Sequence, residues 1–231
     1  MIKNLENELL KKADKKRAEN LQRFFKTGKG EYGEGDIFLG ICVPELREIS
    51  KRFLELTLNE LRELLNTKIH EKRLIALFIL VKKFEKAGEE EREEIFNFYL
   101  NNTKNINNWD LVDLSAPKIV GKFLFDKDRS ILYKLSKSGN LWERRIAVLS
   151  SFEFIRLADF EDCLKISKVL ISDKHDLIQK AVGWMLREIG KRDISVLKEF
   201  LRENYKIMPR TMLRYSIEKF PEEERKNYLK K

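Results

Sequence analysis

The stretch His70-Glu-Lys-Arg-Leu-Ile-Ala-Leu-Phe-Ile-Leu-Val-Lys-Lys-Phe-Glu85 decides the fold class. Leu74, Leu77, Phe78, Val81 and Phe84 recur at i, i+3, i+4 and i+7, which lines them up along one side of a helix. Similar stripes run near residues 2–26, 45–65, 88–101, 108–124, 127–137, 141–156, 159–171, 174–191, 193–205 and 208–218. Asp126 and Asp193 are candidate caps for helix starts, and Gly139 and Gly190 candidate helix ends.

Small residues sit mid-helix at Ala76, Ala116, Ala147, Ala181 and Ser216, separated by 40, 31, 34 and 35 residues. Each helix follows another after a short turn. Helical pairs at this period predict an all-α, HEAT-like α-solenoid, one repeat domain over residues 1–231, curved around a basic concave groove. Pro117 blurs the Ala116 register, because proline kinks or divides a helix.

Composition agrees. The chain has 231 residues, enough to bury a real core, with only 4 Pro and 10 Gly, too few for a sandwich or barrel. Charged residues make up 37% and the apolar set 42%, a balance typical of a mostly helical protein. No apolar run reaches the ~18 residues of a membrane helix, and the charged Met1–Lys12 segment has no signal-peptide core. Two cysteines, Cys42 and Cys163, form neither a disulfide framework nor a four-ligand zinc site, and a reducing cytoplasm is the expected location. The net charge of +9 is spread along the chain and fits either a polyanion-binding face or a highly charged solvated surface.

One segment departs from the helical pattern. Gly28, Gly30, Gly33, Gly35 and Gly40 are half of all the glycines, and they make residues 28–40 a loop. The loop carries Tyr32, and Pro44 shortly beyond it is suited to open a helix.

Conventional catalytic signatures are missing. There is no phosphate loop and no dinucleotide fingerprint. His70 and His175 stand apart at helix starts and read as surface or capping residues. No metal or other cofactor is expected. The informative residues are polar or aromatic groups in unexpected places. Arg145 falls within the stripe Leu141, Val148, Leu149, Phe152, where a cation must be paired, snorkel, or meet a ligand anion. Trp109 and Asp113 are four apart, so an indole and a carboxylate project side by side, with Asn107 or Asn108 as the helix cap. They would share a face with Ala116 and Val120 if the helix ran through Pro117. A carboxylate beside an aromatic face suits a carbocation, although Asp113 could equally pair with Arg145 as structural glue. Trp184 lies off its own core stripe (Ile178, Ala181, Val182, Met185, Ile189), as a binding or a packing residue, with the cation Arg187 one turn on.

Several of these stretches together resemble one family. Tyr32-Gly-Glu-Gly-Asp-Ile-Phe-Leu-Gly40, Asn108-Trp-Asp-Leu-Val-Asp113, Trp142-Glu-Arg-Arg-Ile-Ala147, Ala181-Val-Gly-Trp-Met-Leu-Arg187 and Met208-Pro-Arg-Thr-Met-Leu-Arg-Tyr215 resemble, in order, the AlkD-like DNA alkylation repair family. The likeness runs from the first helix to about Pro221. It implies a HEAT-like α-solenoid and a DNA glycosylase that hydrolyses the N-glycosidic bond of N3- and N7-alkylated purines, such as 3-methyladenine and 7-methylguanine, in duplex DNA. It implies further that the base is not drawn into a pocket. The family's site residues look like Trp109, Asp113 and Trp184 at the reacting nucleotide, with Arg145, Arg187 and Tyr32 contacting DNA. The glycine spacing around Tyr32 departs from the family pattern. Family precedent implies a monomer. The competing readings are a non-catalytic HEAT-repeat DNA-binding or scaffold protein and a protein-binding HEAT array.

Overall fold

A computed structural model describes residues Met1–Lys230. Among the described residues the chain is helical, and its extended pairing is a single parallel bridge between Ile37 and Ile69. It forms two compact units, one ending at Ser115 and the other beginning at Ala116.

The first unit contains α1 (Ile2–Lys11), α2 (Lys15–Phe24), α3 (Val43–Ser50), α4 (Leu58–Leu65), α5 (His70–Lys86), α6 (Glu89–Asn101) and α7 (Trp109–Asp113). Helix α5 is its axis, with α3, α4, α6 and α7 packed around it. The predicted stripe is therefore too narrow: every residue from Leu74 to Val81 is buried, as expected of a helix enclosed on all sides. The continuous stripes at 2–26 and 45–65 are each two helices. Asp14 breaks the first and caps α2 by accepting the Arg17 N–H at 2.9 Å. Thr57 breaks the second and caps α4 in a reciprocal box with Glu60. Pro44 lies in the first turn of α3, as the sequence predicts.

The second unit contains a π-helical segment (Pro117–Gly121), α8 (Ser130–Ser136), α9 (Leu141–Arg156), α10 (Glu161–Val169), α11 (Asp176–Gly190), α12 (Ile194–Asn204), α13 (Arg210–Ser216) and α14 (Glu222–Leu229). The π segment, α9, α11 and α13 pack in succession, while α8, α10 and α12 lie against that row. This is the layered arrangement of helical pairs that the repeat predicts. Ala147, Ala181 and Ser216 are buried. Two glycines let successive helices of the row nearly touch. A Cβ on Gly121 would lie 2.4 Å from the Ser150 carbonyl oxygen, and one on Gly183 would lie 2.5 Å from that of Met212. Asp193 caps α12 through the N–H groups of Ser195 and Val196; Gly190 is the last helical residue of α11, and the cap is Lys191. Asp126 caps nothing: α8 starts at Ser130, whose N–H goes to Asp128.

A buried polar cluster fixes the glycine-rich loop and α7 on the head of α5. His70 Nε2 lies 2.8 Å from Asp110 Oδ2 and Nδ1 lies 3.4 Å from Asp36 Oδ2. Arg73 Nη2 lies 2.5 Å from the same Asp36 oxygen, and Arg73 Nη1 donates to Asn107 Oδ1. His70 is only 2% exposed, which overturns the expectation of a surface or capping residue. Its fixed partners lie 34 and 40 residues away, beyond the reach of local pattern. Burial opposes the imidazolium, but the Asp110 carboxylate and the two hydrogen bonds outweigh it and raise the pKa to about 9. Two carboxylates then face two cations, the arrangement in which buried charge is tolerated. Beside this cluster the Glu71 carboxylate accepts the N–H groups of Leu39, Gly40 and Ile41 at 2.9, 2.8 and 3.3 Å. Gly40, at φ +83°, is required there, because a Cβ would lie 2.1 Å from the Asp14 carbonyl oxygen.

Two outcomes are expected. Gly183→Val should destabilise the fold by about 2–4 kcal/mol in urea denaturation, whereas Gly139→Ala, with open space around it, should be nearly neutral. His70 binds its proton more tightly folded than unfolded. Its contribution, roughly 3 kcal/mol, is therefore complete below about pH 6.5 and lost as the pH rises through about 9. The stability gap between the wild type and His70→Gln should shrink from pH 6 to pH 10, and a gap that stays constant contradicts a charged His70.

Candidate functional site

Helix α7 is short because its sequence starts and stops it abruptly. Asn108 enters in extended conformation and its Oδ1 accepts the Trp109 N–H at 2.8 Å, so of the two candidate asparagines Asn108 is the cap. Proline lacks an N–H and crowds the preceding turn. The chain accordingly leaves α-geometry after Asp113 and re-forms as the π segment at Pro117. The α-helix does not run on through Pro117, but the turn that carries Trp109 and Asp113 is intact.

Trp109 is held by rings. Its indole stacks on Phe25 with centroids 5.1 Å apart and planes 9° apart. Phe25 stacks on Phe38 at 5.0 Å, and Phe38 on His70 at 4.5 Å. A continuous aromatic column thus joins Trp109 to the buried ionic cluster. Phe24, 64% exposed, meets the indole edge-on at 6.0 Å. Stacking of this kind fixes the plane of the indole.

Asp113 is the last residue of α7 and is half-buried. The negative end of the helix adds to its field instead of offsetting it. Beneath it, the fully buried Tyr99 shares a 2.8 Å hydrogen bond with Ser115. Burial pushes the Tyr99 phenol up, and the Asp113 charge adds to that effect, which keeps the phenol protonated beside the carboxylate. Tyr32 lies half-buried in a turn of the glycine-rich loop. Next to it, Gly33 donates to the Lys26 carbonyl at 3.1 Å, and a Cβ on Gly33 would lie 2.5 Å from the Phe25 carbonyl oxygen and 3.6 Å from Asn108 Nδ2. The first unit therefore closes the Tyr32 loop onto the start of the Trp109–Asp113 helix.

The second unit carries Arg145, Trp184 and Arg187. Arg145 is buried on α9 and donates to the Leu177 carbonyl in the first turn of α11. Seven residues on in both helices, Phe152 meets Trp184 at 5.9 Å. Helices α9 and α11 therefore run in step, and Arg145 and Trp184 stand about two turns, or roughly 10 Å, apart along the pair. Trp184 is half-buried, off the core stripe as predicted, and its Nε1–H donates to Glu188 at 3.2 Å. Arg187 pairs with Glu218. A hollow of about 780 Å³ elsewhere in this unit, between α12 and α14, contains none of the predicted site residues.

Sequence reading misses the supporting groups. Asp36 and Asp110 lie inside two of the quoted motifs, but their pairing with His70 and Arg73 depends on tertiary contact. Phe24 and Phe25 read as members of a first-helix stripe, although their rings flank Trp109.

Among the described residues, no group of three or more His, Cys, Asp or Glu is placed to hold a metal ion, and no helix is long and apolar enough to cross a membrane. No curated protein matches the sequence. Solved structures share the fold, two of them as follows. A predicted DNA alkylation repair enzyme from Enterococcus faecalis superposes with a TM-score of 0.71 at 18% identity, covering 91% of this chain and 98% of that one. AlkD2 from Streptococcus mutans superposes with a TM-score of 0.57 at 17% identity, covering 90% of this chain and 99% of that one. A family model described as DNA alkylation repair enzyme matches residues 5–220. With nearly its whole length matched to that model, this chain belongs to the DNA alkylation repair enzyme family.

Proposed function

We propose that the protein is a DNA glycosylase that releases positively charged N3- and N7-alkylated purines, 3-methyladenine and 7-methylguanine among them, from duplex DNA. Family membership supports alkylation repair. The observation that supports the finer reading is the single helical turn that carries Trp109 and Asp113 four residues apart, with the indole fixed by stacking on Phe25.

The chemistry needs little more. Ordinary glycoside cleavage uses an acid to protonate the leaving group and a carboxylate to meet the developing cation. A cationic purine leaves without a proton. As the C1′–N bond breaks, its electron pair returns to the base and neutralises the ring, while the sugar becomes oxocarbenium-like. Asp113 stabilises that cation and aligns a water molecule, whose oxygen bonds to C1′ and whose proton passes to solvent. Trp109 and Trp184 offer ring faces to the charged nucleotide, worth roughly 0.5–2 kcal/mol each. Arg145, oriented by its bond to Leu177, binds a backbone phosphate, with Arg187 in a second such role and Tyr32 beside the lesion. Selectivity then follows from the lability of the lesion, with no need for a closed base pocket. The protein acts as a monomer, without a cofactor.

On duplex DNA containing 7-methylguanine, Asp113→Asn should bind with near wild-type affinity and lose about 100-fold or more in single-turnover excision. The wild type should release no uracil from the same duplex. An inactive wild type supports a non-catalytic DNA-binding protein, and uracil release defeats selection by lesion charge.

A further inference from the structure

The motif Met208–Tyr215 has no part in the site described above, yet it lines a cleft of its own. A cavity of about 370 Å³ opens among α11, α13 and α14. Asp176 and Lys180 on α11, Thr211, Arg214 and Tyr215 on α13, Glu218 just beyond α13, and Arg225 on α14 line it, so three cations face two carboxylates. Gly183 makes this cleft tight: a Cβ there would lie 2.5 Å from Tyr215 Cβ, so α13 approaches α11 as closely as backbone allows.

Charge in the cleft is unevenly committed. Lys180 pairs with Asp176 at 2.6 Å, and Glu218 pairs with Arg187 and Lys219. Arg214 and Arg225 have no acidic partner among the described residues. The Arg225 Nε–H is buried and makes no hydrogen bond. The Nε–H of Arg187, whose partner Glu218 lines the same cleft, is likewise buried and unsatisfied. A buried donor without an acceptor is costly, and guanidinium forks match the oxygens of a phosphate. Thr211 and Tyr215 contribute hydroxyl donors of the kind that contact phosphate.

Position narrows the source of that phosphate. Lys180 and Trp184 are four apart on α11, so the cleft adjoins the helix face that carries Trp184. We propose that this cleft binds a backbone phosphate of the DNA strand beside the lesion, with Arg214 and Arg225 as its two-pronged clamp. The inference rests on the reading of the protein as a DNA-repair enzyme, but it concerns binding alone.

The test is the salt dependence of affinity for an undamaged duplex, which involves no excision. Each phosphate contact contributes about 0.9 to the slope of log K against log salt. The double variant Arg214→Gln/Arg225→Gln should lower that slope by about 1 and weaken binding several-fold. Arg202→Gln on α12, away from the cleft, serves as the control for removing one positive charge and should leave the slope near wild type. An unchanged slope in the double variant overturns the proposal even if the wild type excises 7-methylguanine. A reduced slope sustains it even if the wild type excises nothing. A second arm follows the arginine Nε–H resonances. Shifts of Arg214 and Arg225 on adding duplex support a DNA phosphate, whereas shifts with inorganic phosphate alone overturn it.

Discussion

The structure of the first unit depends on a small group of buried ions: Asp36 and Asp110 against His70 and Arg73. Four formal charges out of water are costly unless all are paired, and truncating one leaves its partner stranded. The cluster therefore has essentially one low-energy arrangement. Its two carboxylates come from different segments, the glycine-rich loop and α7, and both close onto the head of α5. The glycine-rich loop, α7 and α5 are thus locked by one electrostatic constraint. The aromatic column from His70 through Phe38 and Phe25 carries that rigidity to the Trp109 indole.

Rigidity of this kind is what the proposed chemistry requires. When the leaving group is already cationic, the protein has no proton to deliver, and its contribution reduces to placing fixed negative charge and polarisable rings around a developing cation. A carboxylate that shifts by an ångström loses much of that effect. Asp113, one turn from a capped and stacked tryptophan, sits where backbone freedom is small. In the second unit, Arg145 and Trp184 gain similar constancy from two helices packed in step, tied at one end by the Leu177 carbonyl and farther along by Phe152.

Much of this was legible in the sequence, for identifiable reasons. The helical class follows from periodic apolar stripes, and the repeat from small residues, all buried, that recur 31 to 40 residues apart. Local pattern also gives the Asp193 cap, the loop at 28–40 and the Trp109–Asp113 turn, and it narrows the cap of that turn to Asn107 or Asn108, between which the structure selects Asn108. What it missed depends on long-range contact or on breaks internal to an otherwise periodic run. Asp14 and Thr57 interrupt otherwise continuous apolar stripes, so each pair of helices reads as one in the sequence. Pro117 marks a break in the sequence, but whether a proline kinks or divides a helix is settled by packing. His70 reads as a surface residue in sequence because its acidic partners are 34 and 40 residues away. Arg145 illustrates the reverse: an arginine inside an apolar stripe signals an engaged guanidinium, and the Leu177 carbonyl is one partner that sequence cannot name.

The most direct measurement of the central claim removes the lesion and keeps only the charge on the sugar. Duplex DNA carrying a protonated pyrrolidine in place of the damaged deoxyribose resembles the oxocarbenium ion, whereas a tetrahydrofuran at the same position has the shape without the charge. A site built around Asp113 should bind the cationic duplex at least 10-fold more tightly than the neutral one, as expected for a transition-state mimic, and Asp113→Asn should abolish the preference. Equal affinity of the wild-type protein for the two duplexes would contradict the account.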